Sequence, residues 1–349
     1  MRIAQVAPLH ESVPPPKYGG TERVVALLSE ALIEDGHDVT VYATGDSTTT
    51  GKLRPGCERA IRDNPDRVDP VVLHYLMFEQ VLHEASNFDV IHFHTDFLHF
   101  PFVRRLNRPH ITTLHGRLDL PHLKSIYREY TDIPTVSISR SQKTYLPEAN
   151  WVATIYHGIG KNELAAGDGN GGYLAFLGRM SPEKGPDKAI QIARQAGMRI
   201  KMAAKVDPVD REYFRSVIEP LLQHDSVEFI GEVDQKGKME LLQGASALLF
   251  PIDWPEPFGL VMIESMACGT PVVAWNRGSV AEVVDEGITG FIVHSDEEAL
   301  AAIERCNRLD RTVCRARFEH RFLKERMMAD YVNLYEVLIE SGQTHEAVA

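Results

Sequence analysis

Glu256 and Glu264 stand with seven residues between them in the stretch 250–269, and the chain changes character midway. Glu256 lies between Pro255 and Pro257, which hold its backbone extended and keep it out of a helix; 260–268 is apolar, glycine-free and helix-compatible. A loop therefore feeds a helix N-terminus. The first N–H groups of such a helix lack internal partners and carry partial positive charge, and Gly259 has no side chain to hold an anion away. This is the pattern of a phosphate seat. Glu264 follows Gly259 by five residues, about 7–8 Å along the axis at 1.5 Å per residue, and its side chain leans back toward the N-terminus. A carboxylate beside a bound anion repels it, so the partners that suit these two acids are neutral hydroxyls, one set on a sugar and one on a ribose. The stretch points to a nucleotide-sugar, although two surface glutamates would show the same spacing.

Other residues carry chemistry only in company. Gly178-Arg179 and Glu183-Lys184-Gly185 follow the strand pattern at 173–177, and an Arg and a Lys five residues apart around such a loop can clamp two phosphates, the Arg bidentately and the Lys as a point charge. Solvated loop cations look the same. Gly19-Gly20 ends a proline-rich loop directly before a helix pattern, where backbone either approaches a ligand or makes a tight turn. His94 and His115 fall at the ends of strand patterns, the edge where parallel sheets collect ligands. His92 and His94 have a spacing that suits a metal, but no third ligand of matching character lies nearby, so no metal site is expected.

These residues need a frame, and the pattern supplies one. At 349 residues the chain is long enough for two cores. Short buried-strand patterns alternate with amphipathic helices throughout: strands at 3–7, 39–43, 88–96, 111–116, 135–139 and 151–155, then 173–177, 200–204, 227–230, 247–250, 271–274 and 290–293. Residues 44–70 are turn-rich and polar, 208–224 is helical, and 300–341 is expected as continuous helix. The polar, glycine-rich segment 161–172 is the expected linker. It separates an N-terminal domain at 1–160 from a second domain at 173–325, with a helix and tail at 326–349.

A net charge of −12 argues against nucleic acid as a partner, and any anion site must be local. Cys57, Cys268, Cys306 and Cys314 form no metal-like spacing and are expected as reduced thiols in a cytoplasm. The chain begins directly in a strand pattern, and no window approaches about 18 apolar residues, so neither a signal peptide nor a spanning helix is expected. The basic residues between Arg305 and Arg326 are expected as a solvated helix face, with a membrane-surface contact left open.

Taken in order, Gly19-Gly20, Asp89-Val-Ile-His92, Leu114-His115-Gly116, Gly178-Arg179, Glu183-Lys184-Gly185, Glu256-Pro-Phe-Gly-Leu260, Glu264 and Gly269-Thr-Pro-Val-Val273 resemble the retaining glycosyltransferases of family 4. The resemblance implies the GT-B fold: α/β, two Rossmann-like parallel-sheet domains facing across a cleft, with a C-terminal helix returning toward the N-terminal domain. It implies a hexosyl group moved from a nucleoside-diphosphate sugar, bound by the second domain, to an acceptor hydroxyl on the first. By the same resemblance Arg179 and Lys184 neutralise the departing diphosphate with backbone N–H groups near Phe258, Gly259 and Leu260. Glu264 holds the ribose, Glu256 the transferred sugar, and Gly231, Glu232 and Val233 lie by the base. His115 stands beside the sugar, and Gly19 and Gly20 approach the diphosphate. No cofactor is implied and, with no Asp-x-Asp in the chain, catalysis without a metal is expected. The sequence departs from the family at His157-Gly-Ile-Gly160, where Asn-Gly-Val-Asp is frequent. The base, the sugar, the acceptor and the oligomeric state stay open. So do a GT-B epimerase or phosphorylase and a non-catalytic nucleotide-sugar-binding subunit.

Overall fold

The structure, a computed structural model, describes residues 1–64, 68–104 and 106–346. The chain divides into two compact units, Met1–Gly158 with Lys324–Ala349, and Ile159–Leu323. Residues 347–349 of the expected tail lie outside the described residues.

The first unit is built on seven parallel strands: β1 (Arg2–Val6), β2 (Asp38–Thr44), β3 (Lys52–Cys57), β4 (Val90–Phe93), β5 (His110–Thr113), β6 (Pro134–Ser137) and β7 (Asn150–Thr154), in the order β3-β2-β1-β4-β5-β6-β7. The second has six: β8 (Tyr173–Arg179), β9 (Arg199–Lys205), β10 (Val227–Gly231), β11 (Ala247–Phe250), β12 (Val272–Trp275) and β13 (Gly290–Val293), in the order β10-β9-β8-β11-β12-β13. Central strands such as β4, β11 and β12 are buried along their whole length, as strands covered by helices on both faces must be. The strand order reverses once in each sheet, between β1 and β4 and between β8 and β11, with all strands still parallel. At such a reversal the crossover helices diverge to opposite faces and leave a crevice at the carboxyl ends of the strands.

The helices that matter for that edge are α1 (Gly20–Glu34), α2 (Pro186–Gln195), α3 (Gln235–Gly244), α4 (Leu260–Ala267), α5 (Asp296–Cys306), α6 (Arg311–Arg321) and α7 (Lys324–Glu346). Helix α7 belongs to the first unit: it packs along α1, and Lys324 Nζ donates to Glu34 Oε2 at 2.8 Å.

Three expectations change. β3 occupies part of the segment expected as turns; Pro55 and Gly56 hide it, and a strand holding a proline is tolerated here because β3 is an edge. The expected helix over 300–341 is three helices, α5, α6 and α7, because Asp310 caps α6 by accepting from Thr312 N at 2.8 Å and the chain leaves helical geometry again at Phe322. Within 208–224 the helix is interrupted by a π-turn at Phe214–Ile218, just before Pro220, which has no N–H to give the preceding turn.

The basic residues expected on a solvated face divide: Arg305, Arg308 and Arg317 are exposed, whereas Arg311 and Arg315 are half-buried and bonded to the chain around them. Arg311 donates to Gly167 O at 3.0 Å, Ala245 O at 3.1 Å, Gln243 O at 3.2 Å and Thr270 Oγ1 at 2.6 Å. Arg315 reaches Leu164 O at 2.6 Å and Lys161 O at 2.5 Å. These guanidinium groups strap the 161–172 segment along the second unit, together with backbone bonds from Gly167 N to Cys268 O and from Gly171 N to Gly244 O. Arg311→Met removes every one of its donors while keeping length, and is expected to cost about 3 kcal/mol of stability. Arg311→Lys should restore only part of it, since one ammonium cannot span the fork. Urea unfolding checks both; a loss below about 0.5 kcal/mol for the Met variant contradicts the strap.

Candidate functional site

In the second unit the reversal between β8 and β11 sets two loops side by side in the sheet order: the one after Arg179 and the one that runs from Pro251 to Gly259. Gly259 enters α4 at φ 79°, and no side chain caps the helix. A Cβ at Gly259 would meet Met262 Cε at 2.7 Å, the movable end of a flexible side chain, so the position needs glycine for its left-handed backbone rather than for space. The N-terminus of α4 is left for something other than its own side chains.

Glu256 is 7% exposed and Glu264 3%. Neither stands alone. Lys184 Nζ donates to Glu256 Oε2 at 2.5 Å, and Trp254 Nε1 donates to the same oxygen at 3.1 Å. The ammonium also lies 4.6 Å from the centre of the Trp254 ring, a cation–π contact that suits a charge with little water around it. Glu264 receives Lys238 Nζ, from α3, at 2.5 Å on Oε1. Lys238 was not among the expected residues. Its signal was present: Lys238 shares one helix face with the buried Leu241 and Leu242, where a lysine is out of pattern unless it has a buried partner.

The Glu256 loop is held from beneath by residues that sequence reasoning also missed. Ser279 N donates to Glu256 O at 2.9 Å, and Ser279 Oγ donates to Phe258 O at 2.8 Å. Gly278 permits that approach, since a Cβ there would stand 2.2 Å from Glu256 O.

Arg179, at the end of β8, pairs with Glu183 and lies 3.5 Å from Asp207 Oδ2; its Nε is buried without a partner among the described residues. The two expected phosphate cations are thus each engaged by a carboxylate here, and they share none. Gly231 ends β10 at φ 74°, with exposed Glu232 and half-buried Val233 following it at the sheet edge, two strands from β8. The structure groups Lys184, Glu256, Phe258 and Gly259 around one loop and Glu264 on the helix that loop starts.

In the first unit, Gly19 (φ 151°) and Gly20 form the entry to α1, and Gly19 packs against Pro15 and Glu11. His94 and His115 follow β4 and β5. Their rings meet, His94 Nδ1 lying 2.8 Å from His115 Nε2, and His94 Nε2 lies 2.8 Å from Gln5 Oε1. His157 stacks on His115 with ring centres 5.2 Å apart. Burial drives the His115 imidazole down to about 3 and holds His92, His94 and His157 well below the ordinary histidine value, the neighbouring histidines adding to the effect. The His92 and His94 rings lie tilted with centres 4.0 Å apart, yet their nitrogens go to Tyr335, Thr113, Gln5 and His115. Among the described residues no group of three or more His, Cys, Asp or Glu side chains is placed to hold a metal ion.

Two family descriptions match the sequence in succession, "Glycosyltransferase Family 4" over residues 18–158 and "Glycosyl transferases group 1" over residues 166–310. A phosphatidyl-myo-inositol mannosyltransferase of Mycobacterium leprae is 26% identical over 346 residues, covering 91% of this chain and 90% of that one. An uncharacterized glycosyltransferase of Methanocaldococcus jannaschii is 27% identical over 226 residues, 61% of this chain and 63% of that protein, so the match spans less than two-thirds of its length. Among solved structures, Anabaena HepE in complex with UDP and glucose superposes with a TM-score of 0.76 at 18% identity, covering 97% of this chain and 100% of that one. At that identity the likeness speaks for the fold.

The histidine cluster makes acid stability a test of the site. The unfolded chain binds protons at these histidines near pH 6.5, while the native protein, with His115 at about 3 and His92, His94, His99 and His157 also lowered, does not. The unfolded state therefore holds more protons throughout that window, and stability falls as pH drops from neutral. Each such histidine contributes up to about 1.4 kcal/mol per pH unit below pH 6. Denaturant unfolding at pH 7, 6 and 5 is expected to show a steep loss, and a flat profile would contradict neutral burial of the cluster.

Proposed function

Because the chain belongs to the family 4-like GT-B glycosyltransferases, we propose that it moves a hexosyl group from a nucleoside-diphosphate sugar to an acceptor hydroxyl with retained anomeric configuration. The observation that carries this is the uncapped N-terminus of α4 flanked by two buried carboxylate–ammonium pairs, Glu256 with Lys184 and Glu264 with Lys238. Unfilled N–H groups suit a diphosphate, and acids already neutralised by lysine suit hydroxyls, because they add no net charge to repel the anion. HepE, solved with UDP and with UDP-glucose, supports a donor of this class.

In this reading Glu264 binds the ribose with the oxygen that Lys238 leaves, and Glu256 binds hydroxyls of the transferred sugar. Arg179, Lys184 and the backbone at Phe258, Gly259 and Leu260 take the diphosphate; Gly231, Glu232 and Val233 take the base. In the first unit we assign His115 to a substrate hydroxyl and Gly19 and Gly20 to close approach of backbone to substrate. The bond from the anomeric carbon to the diphosphate breaks as the acceptor oxygen bonds to that carbon on the same face, and the acceptor proton passes to the departing diphosphate. Charge on the leaving group is met by guanidinium, ammonium and backbone N–H groups, so no metal is assigned a step. Among the described residues no helix is long and apolar enough to cross a membrane, and none of the four cysteines is paired. A cytoplasmic location with reduced thiols is the reading we attach to these thiols.

A thermal-shift screen across nucleotide-sugars is expected to single out one base and sugar. With that donor, Lys184→Ala should lower kcat by about 10²–10³-fold, the effect of losing one charge-stabilising group. Glu264→Gln should raise donor KM by roughly 10–150-fold, the worth of a hydrogen bond to a charged group. Mass spectrometry must show a new glycoside. An isomerised sugar or a sugar 1-phosphate in its place, or wild-type turnover in both variants, overturns the assignment.

A further inference from the structure

His115 does not stand on its own nitrogen atoms. Behind it runs a buried chain of hydrogen bonds through β1, β4, β5 and α7, all within the first unit. Gln5 lies with Oε1 2.8 Å from His94 Nε2 and with Nε2 3.1 Å from the Tyr335 hydroxyl. Tyr335 OH is 2.6 Å from His92 Nδ1, and His92 Nε2 is 2.7 Å from Thr113 Oγ1. Thr113 Oγ1 is 2.8 Å from Tyr331 OH. Gln5, His92, His94, Thr113, Tyr331 and Tyr335 are all buried.

In such a chain the amide fixes the protons of the two rings it leads to, His94 and His115. Gln5 Oε1 has no hydrogen, so His94 must donate from Nε2. A neutral His94 then bears no proton on Nδ1, which accepts, and the hydrogen between the two rings belongs to His115 Nε2. A neutral His115 protonated at Nε2 carries none at Nδ1. On the other side Gln5 Nε2 donates to the Tyr335 hydroxyl, and an order consistent with this has Tyr335 donating to His92 Nδ1 and His92 donating from Nε2 to Thr113, while the Thr113–Tyr331 bond can run either way. Turning the Gln5 amide over would reverse the bonds through His94 to His115 and put a hydrogen on His115 Nδ1. That atom is buried without a partner among the described residues. The reversed chain would strand an N–H there, whereas the observed one leaves a lone pair, the less costly orphan.

We propose that Gln5, His94 and Tyr335 are positioning residues that lock His115 as its Nε2–H tautomer, so that the capacity it retains toward a ligand is the acceptor lone pair of Nδ1. Such a group takes a hydroxyl hydrogen and repels a carboxylate or phosphate oxygen. The link to a ligand rests on the assignment of His115 to substrate made above; the tautomer does not. Helix α7, through Tyr335, is then part of what sets the polarity of the site.

Imidazole ¹⁵N chemical shifts of the full-length, ligand-free protein at pH 7, with His115→Asn used to assign the signals, test this directly. The expected spectrum has a proton-free Nδ1 and a protonated Nε2 on His115; a protonated Nδ1 overturns the proposal. Tyr335→Phe removes the hydroxyl that holds the Gln5 amide, keeps the ring, and is expected to turn the single His115 tautomer into a mixture. The same pattern in wild type and in a folded Tyr335→Phe variant overturns the role of Tyr335, and Gln5→Leu, which removes both amide groups at once, gives the parallel test for Gln5. Because these readouts need no turnover, a correct tautomer in a protein that transfers no sugar would count against the proposed activity and leave this inference standing.

Discussion

A carboxylate taken out of water must meet opposite charge and fill its lone pairs, or it does not stay ionised. The carboxyl edge of the second sheet is organised by that demand. Glu256 arrives on the loop after β11 and Glu264 on the helix that follows, while their counter-charges come from elsewhere: Lys184 from the loop between β8 and α2, Lys238 from α3. Three separate crossovers are therefore tied to one another by two ion pairs. Removing any one charge leaves its partner buried and uncompensated, at a cost of several kcal/mol, so the same pairs that shape the site also contribute to stability.

What could be read from residue order alone follows from where each constraint is local. The alternation of strands and helices was legible because burial on both faces of a parallel sheet writes unbroken apolar runs into the chain, as at Val90–Phe93 and Ala247–Phe250. β3 was not, because an edge strand needs no such run and Pro55 and Gly56 mimic a turn. The break before α6 had a local signal in Asp310, whose cap was masked by helix-favouring neighbours on both sides. In the candidate site, Glu256, Gly259 and Glu264 were legible through proline, glycine and helical spacing. Ser279 and Gly278 were not, since what they hold is the backbone of residues some twenty positions away. Lys238 sat between these cases, out of pattern on its helix but without a partner that sequence could name.

The histidines of the first unit show the same limit more sharply. Strand ends marked His94 and His115, but nothing in their vicinity in sequence indicates that Gln5 bonds His94, or that two tyrosines more than two hundred residues away bond Gln5, His92 and Thr113 behind it. Aligned polar groups in a low-dielectric interior reinforce one another, and an incomplete chain of them is worse than none. That gives α7 a reason to pack on this unit beyond its apolar face: without Tyr331 and Tyr335 the buried groups on β1, β4 and β5 would be stranded.

The pairing of Lys184 with Glu256 bears on how a diphosphate would be held. Without ligand, the ammonium is already satisfied by a carboxylate and two aromatic faces, Trp254 at 4.6 Å and Phe250 at 5.8 Å. A phosphate that draws it away must offset the loss of that pair, so in the proposed reaction Lys184 would add little to binding of the intact donor. As the bond to the sugar breaks, negative charge on the diphosphate grows, and the balance for Lys184 shifts toward it. An interaction that strengthens only as charge develops lowers the barrier without deepening the ground state. In the proposed transfer the same shift would leave a Glu256 oxygen open toward the sugar carbon as it turns cationic, where a carboxylate stabilises by field alone. One ion pair, broken in the transition state and intact before it, would serve both sides of the scissile bond.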